Sequence, residues 1–220
     1  TLTSEDGFEL SAYCAEPEGK ARGGVVVIQE IFGVNSHIRE VVDRFAAAGY
    51  LTIAPAIFDR VEKGVNLGYT PDDMQAGIAI VAGGKLDFGN VLADARTAGR
   101  HVASAGKVGI TGYCFGGLVT AASSIQSASV FAAGSSYYGG NTATLIGQKP
   151  AIPLQAHYGE LDAYIPMTDV QKIKDAWPAA EVHVYAADHG FNCDQRATFH
   201  AQSAAVAQAR TFRFFDQHIG

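Results

Sequence analysis

No apolar run in the 220 residues approaches the roughly 18 that a membrane-spanning helix needs, and no charged-then-apolar leader opens the chain. Basic residues are scarce. Lys and Arg total 16 against 22 Asp and Glu, a formal net charge of −6, so no basic stripe exists to neutralise phosphates and nucleic acid is excluded as a partner. Cysteine is scarcer still. Cys14, Cys114 and Cys193 are odd in number and show no C-x-x-C spacing, which excludes a disulfide framework and gives no zinc pattern. Internal repeats, low-complexity stretches and linkers are also absent. Together these point to one soluble domain over residues 1–220, with free thiols in a reducing, cytoplasmic setting. It is expected to be a monomer with no membrane or nucleic-acid partner, no metal and no cofactor.

The apolar pattern gives the fold class. Val25 to Ile28 is a β-branched run fit for a central strand buried on both faces. Ile38, Val41, Val42, Phe45 and Ala46 follow at helical spacing, with Ser36 as the expected cap, Gly49 as the stop and Tyr50 to Pro55 as the next strand. This βαβ unit predicts an α/β fold: a mostly parallel sheet, right-handed crossovers and helices on both faces. Phe8, Leu10, Ala12 and Cys14 alternate as a half-buried edge strand would. Helices are predicted from Pro71 to about Val81 and from Asp87 to Ser104, an excursion that either shapes a pocket or decorates the surface. Later strands are expected at Val130 to Gly140, Ala151 to His157 and Glu181 to Tyr185. Helices are expected from Thr168 to Trp177 and from about Gln195 to His218, the last burying Phe199, Val206 and Phe214.

One stretch organises the rest. Val108 and Ile110 end a buried strand, Leu118 to Ala122 begin a helix, and Gly112-Tyr-Cys-Phe-Gly116 joins them. This is a G-x-nucleophile-x-G elbow with cysteine in place of the commoner serine. The helix below favours a thiolate and a developing oxyanion. The plain alternative is a buried cysteine in a Gly-rich turn, and the remaining strand ends weigh against it. Glu30, Cys114, Asp162 and His189 all fall where ligands gather in open parallel sheets, beyond the carboxyl ends of strands. After the elbow the order is nucleophile, acid, histidine, as in α/β-hydrolases. Cys114 would attack, His189 would move the proton, and Asp162 would orient the imidazole and stabilise its charged form. Asp188 adjoins His189 and is expected to point elsewhere.

Gln29-Glu-Ile-Phe-Gly-Val-Asn35, Gly112-Tyr-Cys-Phe-Gly-Gly117, Gly159-Glu-Leu-Asp162 and Asp188-His-Gly-Phe191 together resemble the dienelactone hydrolase family of α/β-hydrolases, over nearly the whole chain. The resemblance implies the α/β-hydrolase fold and Cys114, Asp162 and His189 as a triad. It also implies an oxyanion hole from the backbone N–H groups of Ile31 and Phe115. For Glu30 it implies a contact with the resting thiol that substrate binding rearranges, so that the thiolate forms. Two arginines that bind the dienelactone carboxylate in the family have no counterpart here. Residues 70–87 hold none, and Cys193 stands four residues past His189. Arg196 is the substitute considered, with Arg60 a further candidate. The expected function is hydrolysis of small carboxylic esters or lactones through a cysteine nucleophile. Two alternatives stay open: an esterase or thioesterase for uncharged acyl groups, and a non-catalytic binding or redox-sensing protein.

Overall fold

A computed structural model describes residues 1–220. The first strands, β1 (Leu2–Thr3) and β2 (Glu9–Leu10), form a small antiparallel pair of their own. The alternating run from Phe8 therefore splits. Only Ala12–Ala15 (β3) joins the main sheet, as an antiparallel edge on which Cys14 is exposed rather than half-buried. The chain continues through β4 (Gly24–Ile28), α1 (Ser36–Ala47), β5 (Leu51–Pro55), α2 (Pro71–Ala82), α3 (Phe88–Val102) and β6 (Val108–Tyr113). It then runs through α4 (Phe115–Gln126), β7 (Ala133–Tyr137), β8 (Leu154–Gly159), α5 (Met167–Ala176), β9 (Glu181–Tyr185) and α6 (Ala201–His218). Seven strands pair in the order β3-β5-β4-β6-β7-β8-β9, all parallel except β3.

Alternation along β4 explains the layering. Val25 and Val27 join one core with Ile38, Val41 and Phe45 of α1 and Phe215 of α6. Val26 and Ile28 join the other with Val91, Ala95 and Val102 of α3 and Val119 of α4. Every residue of β4 and β6 is buried, as expected of central parallel strands covered on both faces.

The chain order creates a switch point. From β4 the chain crosses to β5 on one side, then returns through α2 and α3 to β6 on the other side of β4. At such a point two carboxyl ends diverge and leave a crevice. Glu30 follows β4 and Cys114 follows β6, so the two lie at neighbouring strand ends beside it, with Glu30 buried beneath.

Several boundaries differ from the sequence reading, for local reasons. Asn35, not Ser36, caps α1, its Oδ1 accepting from the Ile38 N–H at 3.2 Å. Thr70 and Asp73 form a reciprocal capping box that starts α2 where Pro71 allows it. The helix after the elbow begins at Phe115, three residues before its apolar run. Strand β8 extends two residues beyond His157, to Gly159. The predicted burial of Phe199 and Val206 fails: Phe199 precedes the last helix, which begins only at Ala201, and Val206 lies off its buried face of Ala204, Ala207, Thr211 and Phe214, so both are 40% exposed.

Candidate active site

The elbow is strained where the sequence requires it to be. Cys114 adopts φ 55 and ψ −112, one of three non-glycine residues at positive φ. The sheet and helix press together here: a Cβ on Gly116 would lie 2.3 Å from the Ile28 carbonyl oxygen. The backbone strain is tolerated because packing on both sides fixes it, and it lifts the thiol clear of the sheet. Cys114 caps α4, so the N–H of Phe115 is among those without an intrahelical acceptor.

His189 and Asp162 meet beside this thiol. The two lie on loops after β9 and β8, and His189 Nδ1 is 2.7 Å from Asp162 Oδ2. The other Asp162 oxygen accepts the Tyr164 N–H at 2.8 Å, which fixes the carboxylate. Asp188 turns away and accepts the backbone N–H of His189, as expected. Burial opposes charge on the His189 ring, but the Asp162 carboxylate and the Cys114 sulfur outweigh it and raise the imidazole pKa to about 10. The rings of Tyr138 and Tyr164 flank His189, with centroids 5.1 and 5.3 Å away.

Glu30 is fully buried, and its carboxylate is held from two sides. Tyr69 Oη donates to Oε2 at 2.9 Å, and Arg196 Nη1 donates to Oε1 at 3.3 Å. Asn35, the cap of α1, donates to Tyr69 Oη at 3.2 Å, so the helix start braces the same cluster. Arg196 reaches the crevice because it precedes α6 in a loop rather than riding on the helix. Gly190, at φ +77, makes room for it: a Cβ there would fall 2.5 Å from Arg196 Nη1. The guanidinium also lies over the rings of Phe32 and Tyr69. Arg60 is elsewhere, bound to buried Asp94 at 2.6 Å and to Asp6 at 2.8 Å, and is not a substrate ligand.

Two cavities flank Cys114. One, of about 350 Å³, is lined by Ile31, Phe32, Met74, Ile78, Tyr164, His189 and Arg196. The other, of about 370 Å³, is lined by Val81, Leu86, Phe88, Phe115 and Leu118. Gly140 and Asn141 border both. The excursion between β5 and β6 therefore shapes the pocket, since α2 supplies Met74 and Ile78. Sequence reasoning brought Cys114, Asp162, His189, Glu30, Ile31, Phe115 and Arg196 to this crevice. It missed Tyr69, Met74, Ile78 and Tyr164. Tyr69 and Tyr164 sit in loops without periodicity, and α2 shows little segregation of apolar residues to one face, with Ile78 itself half exposed, so no local signal marked Met74 and Ile78.

A mostly parallel sheet with an antiparallel edge, a strained strand–helix elbow after β6 and an acid–histidine pair beyond the last two strand ends are the features of the α/β-hydrolase fold. An esterase of Pyrococcus furiosus shares this fold at a TM-score of 0.70 and 15% identity, over 100% of this chain and 91% of that one. The chain belongs to the dienelactone hydrolase family, whose model matches residues 10–219. A Synechocystis protein named as a putative carboxymethylenebutenolidase is 35% identical, over 96% of this chain and 93% of its own. The crystal structure of a protein titled a putative dienelactone hydrolase from Klebsiella pneumoniae superposes with a TM-score of 0.85 at 31% identity, covering 99% and 98% of the two chains.

Proposed function

We propose that this hydrolase cleaves small carboxylic esters or lactones by attack of the Cys114 sulfur on the carbonyl carbon. The observation that carries the reading is the strained thiol beside an imidazole whose far nitrogen is 2.7 Å from Asp162. His189 takes the thiol proton and later gives it to the leaving alkoxide as the C–O bond breaks. Water then attacks the acyl-thioester, His189 takes its proton, and the acid leaves with the thiol restored. Asp162 holds the imidazole in one tautomer and stabilises its charge. The backbone N–H groups of Ile31 and Phe115 stabilise the tetrahedral oxyanion. Glu30 enters through electrostatics. A carboxylate near a thiol opposes its ionisation, and the bonds of Glu30 to Arg196 and Tyr69 engage it instead. The enzyme acts as a cytoplasmic monomer.

The paired state of Arg196 supports a preference for uncharged acyl groups, as esters or thioesters. It is the only Lys or Arg lining the two cavities, and Glu30 already occupies it. A substrate carboxylate would have to displace a buried anion to gain that guanidinium. The walls on either side of Cys114 are mainly apolar and suit the two arms of a small neutral ester.

The test compares hydrolysis of dienelactone with that of short neutral p-nitrophenyl esters and acyl thioesters, with Cys114→Ala as control. Cys114-dependent turnover that is faster on neutral substrates supports both statements. Faster opening of dienelactone removes the preference for neutral substrates and leaves the mechanism. Activity unchanged in Cys114→Ala removes the mechanism. No turnover on any of them, by the folded wild type, would favour the binding or redox-sensing alternative.

A further inference from the structure

A second group of chemistry-bearing side chains lies behind the catalytic loop, and the hydrolysis above does not use it. His37 of α1 meets Cys193 and Asp194 of the loop between β9 and α6. One ligand atom from each lies within 4.8 Å of the others. The His37 side chain is 0% exposed, yet neither ring nitrogen has a hydrogen-bond partner, and Nδ1 is 3.5 Å from Asp194 Oδ1. An imidazole buried without partners forfeits the hydrogen bonds it would make in water, so its environment calls for an explanation. Cys193 is fully buried, whereas the Asp194 side chain is 48% exposed and opens the group to solvent on one side.

We propose that His37, Cys193 and Asp194 form a binding site for a divalent cation of the zinc class. The donor set is one imidazole nitrogen, one sulfur and one carboxylate oxygen, which suits a borderline-soft ion that accepts tetrahedral coordination. The donors need to draw in by about 1 Å to reach tetrahedral ligand spacing, given metal–ligand bonds of about 2.0–2.3 Å. As the S–M, N–M and O–M bonds form, the Cys193 thiol proton passes to solvent. Thiolate and carboxylate together balance the charge of the ion, which favours burying it. Water enters from the Asp194 side as the fourth ligand. Spacing in the sequence gave no sign of the site, because His37 and the Cys193-Asp194 pair come together only through tertiary packing. The bound ion ties α1 to the loop that also carries His189 and Arg196, so its occupancy restrains that loop.

Cobalt(II) titration of the purified protein tests the site without reference to turnover. The expected result is tetrahedral d–d absorption with a thiolate-to-cobalt charge-transfer band, both displaced by one equivalent of zinc, and a rise in melting temperature on zinc binding. The charge-transfer band disappears in Cys193→Ser and persists in Cys14→Ser and Cys114→Ser. Asp194→Ala, a surface change that spares folding, weakens binding at least about tenfold, the lower end of what even outer-shell changes cost. A band that survives Cys193→Ser, or that vanishes in Cys114→Ser, overturns the proposal. So does the absence of a charge-transfer band at excess cobalt. If Cys193→Ser fails to fold, unchanged affinity in Asp194→Ala refutes the site on its own.

Discussion

Replacing Asp162 with asparagine keeps the shape of the side chain and removes the charge opposite His189. The imidazole pKa rises from an ordinary 6.5 to about 10 in the folded chain. At about 1.4 kcal/mol per pH unit this corresponds to no more than about 5 kcal/mol of folding stability. Because the folded value is raised, that contribution is fully present below pH 6.5 and fades as pH climbs to about 10. Burial opposes the shift; the hydrogen bond to Asp162 is the largest single contribution that raises it, and the Cys114 sulfur beside the ring raises it too. Tyr138 and Tyr164 are the other titratable groups against the ring, and Arg196 lines the same cavity. Asp162→Asn should therefore lose about 2–4 kcal/mol near pH 6, within the range for breaking buried pairs, and converge on the wild type above pH 10. Urea unfolding followed by Trp177 measures this. It is the single tryptophan, buried at the end of α5, with its indole N–H on the Gln148 carbonyl at 2.7 Å. The same variant should lower kcat/KM by roughly 10²–10⁴-fold, since the imidazole tautomer is no longer held. Parallel stability profiles for variant and wild type, or a loss of kcat/KM below tenfold, would refute the assignment of Asp162.

Arg196→Gln should destabilise the chain by about 3–5 kcal/mol, because it strands the fully buried Glu30 carboxylate with Tyr69 alone. The Glu30→Gln/Arg196→Gln double variant should recover most of that loss in urea unfolding, and equal instability of the two would show that the pair is not what matters. Gly116→Ala should cost at least about 1–3 kcal/mol, since its methyl would fall 2.3 Å from one backbone oxygen and 2.7 Å from another. Gly140→Ala meets nothing within 4 Å and should stay within about 0.5 kcal/mol of the wild type, so thermal melts that fail to separate the two would contradict the close packing at the elbow.

Much of this protein was legible in its sequence because local rules and global fold agree. The β-branched run of β4, the helical spacing of α1 and the glycines around Cys114 each specify their element through short-range sterics and burial period. The order of Cys114, Asp162 and His189 named the polar groups at the strand ends. Where local signals conflicted, the reading slipped. Phe199 and Val206 look like core residues by hydrophobicity, but Phe199 falls before α6 and Val206 lies off its buried face.

Tertiary structure alone decided who partners whom. Crossing from β5 over β4 to β6 opens the crevice between Glu30 and Cys114, and hydrogen bonds across the sheet set that strand order, not any one segment. Tyr69 and Arg196, 127 positions apart, converge on Glu30 because Gly190 lets a loop fold back against the end of β4. His37 meets Cys193 by the same long-range packing. A one-dimensional pattern records which face of an element is apolar. It does not record which distant side chain arrives to satisfy a buried charge.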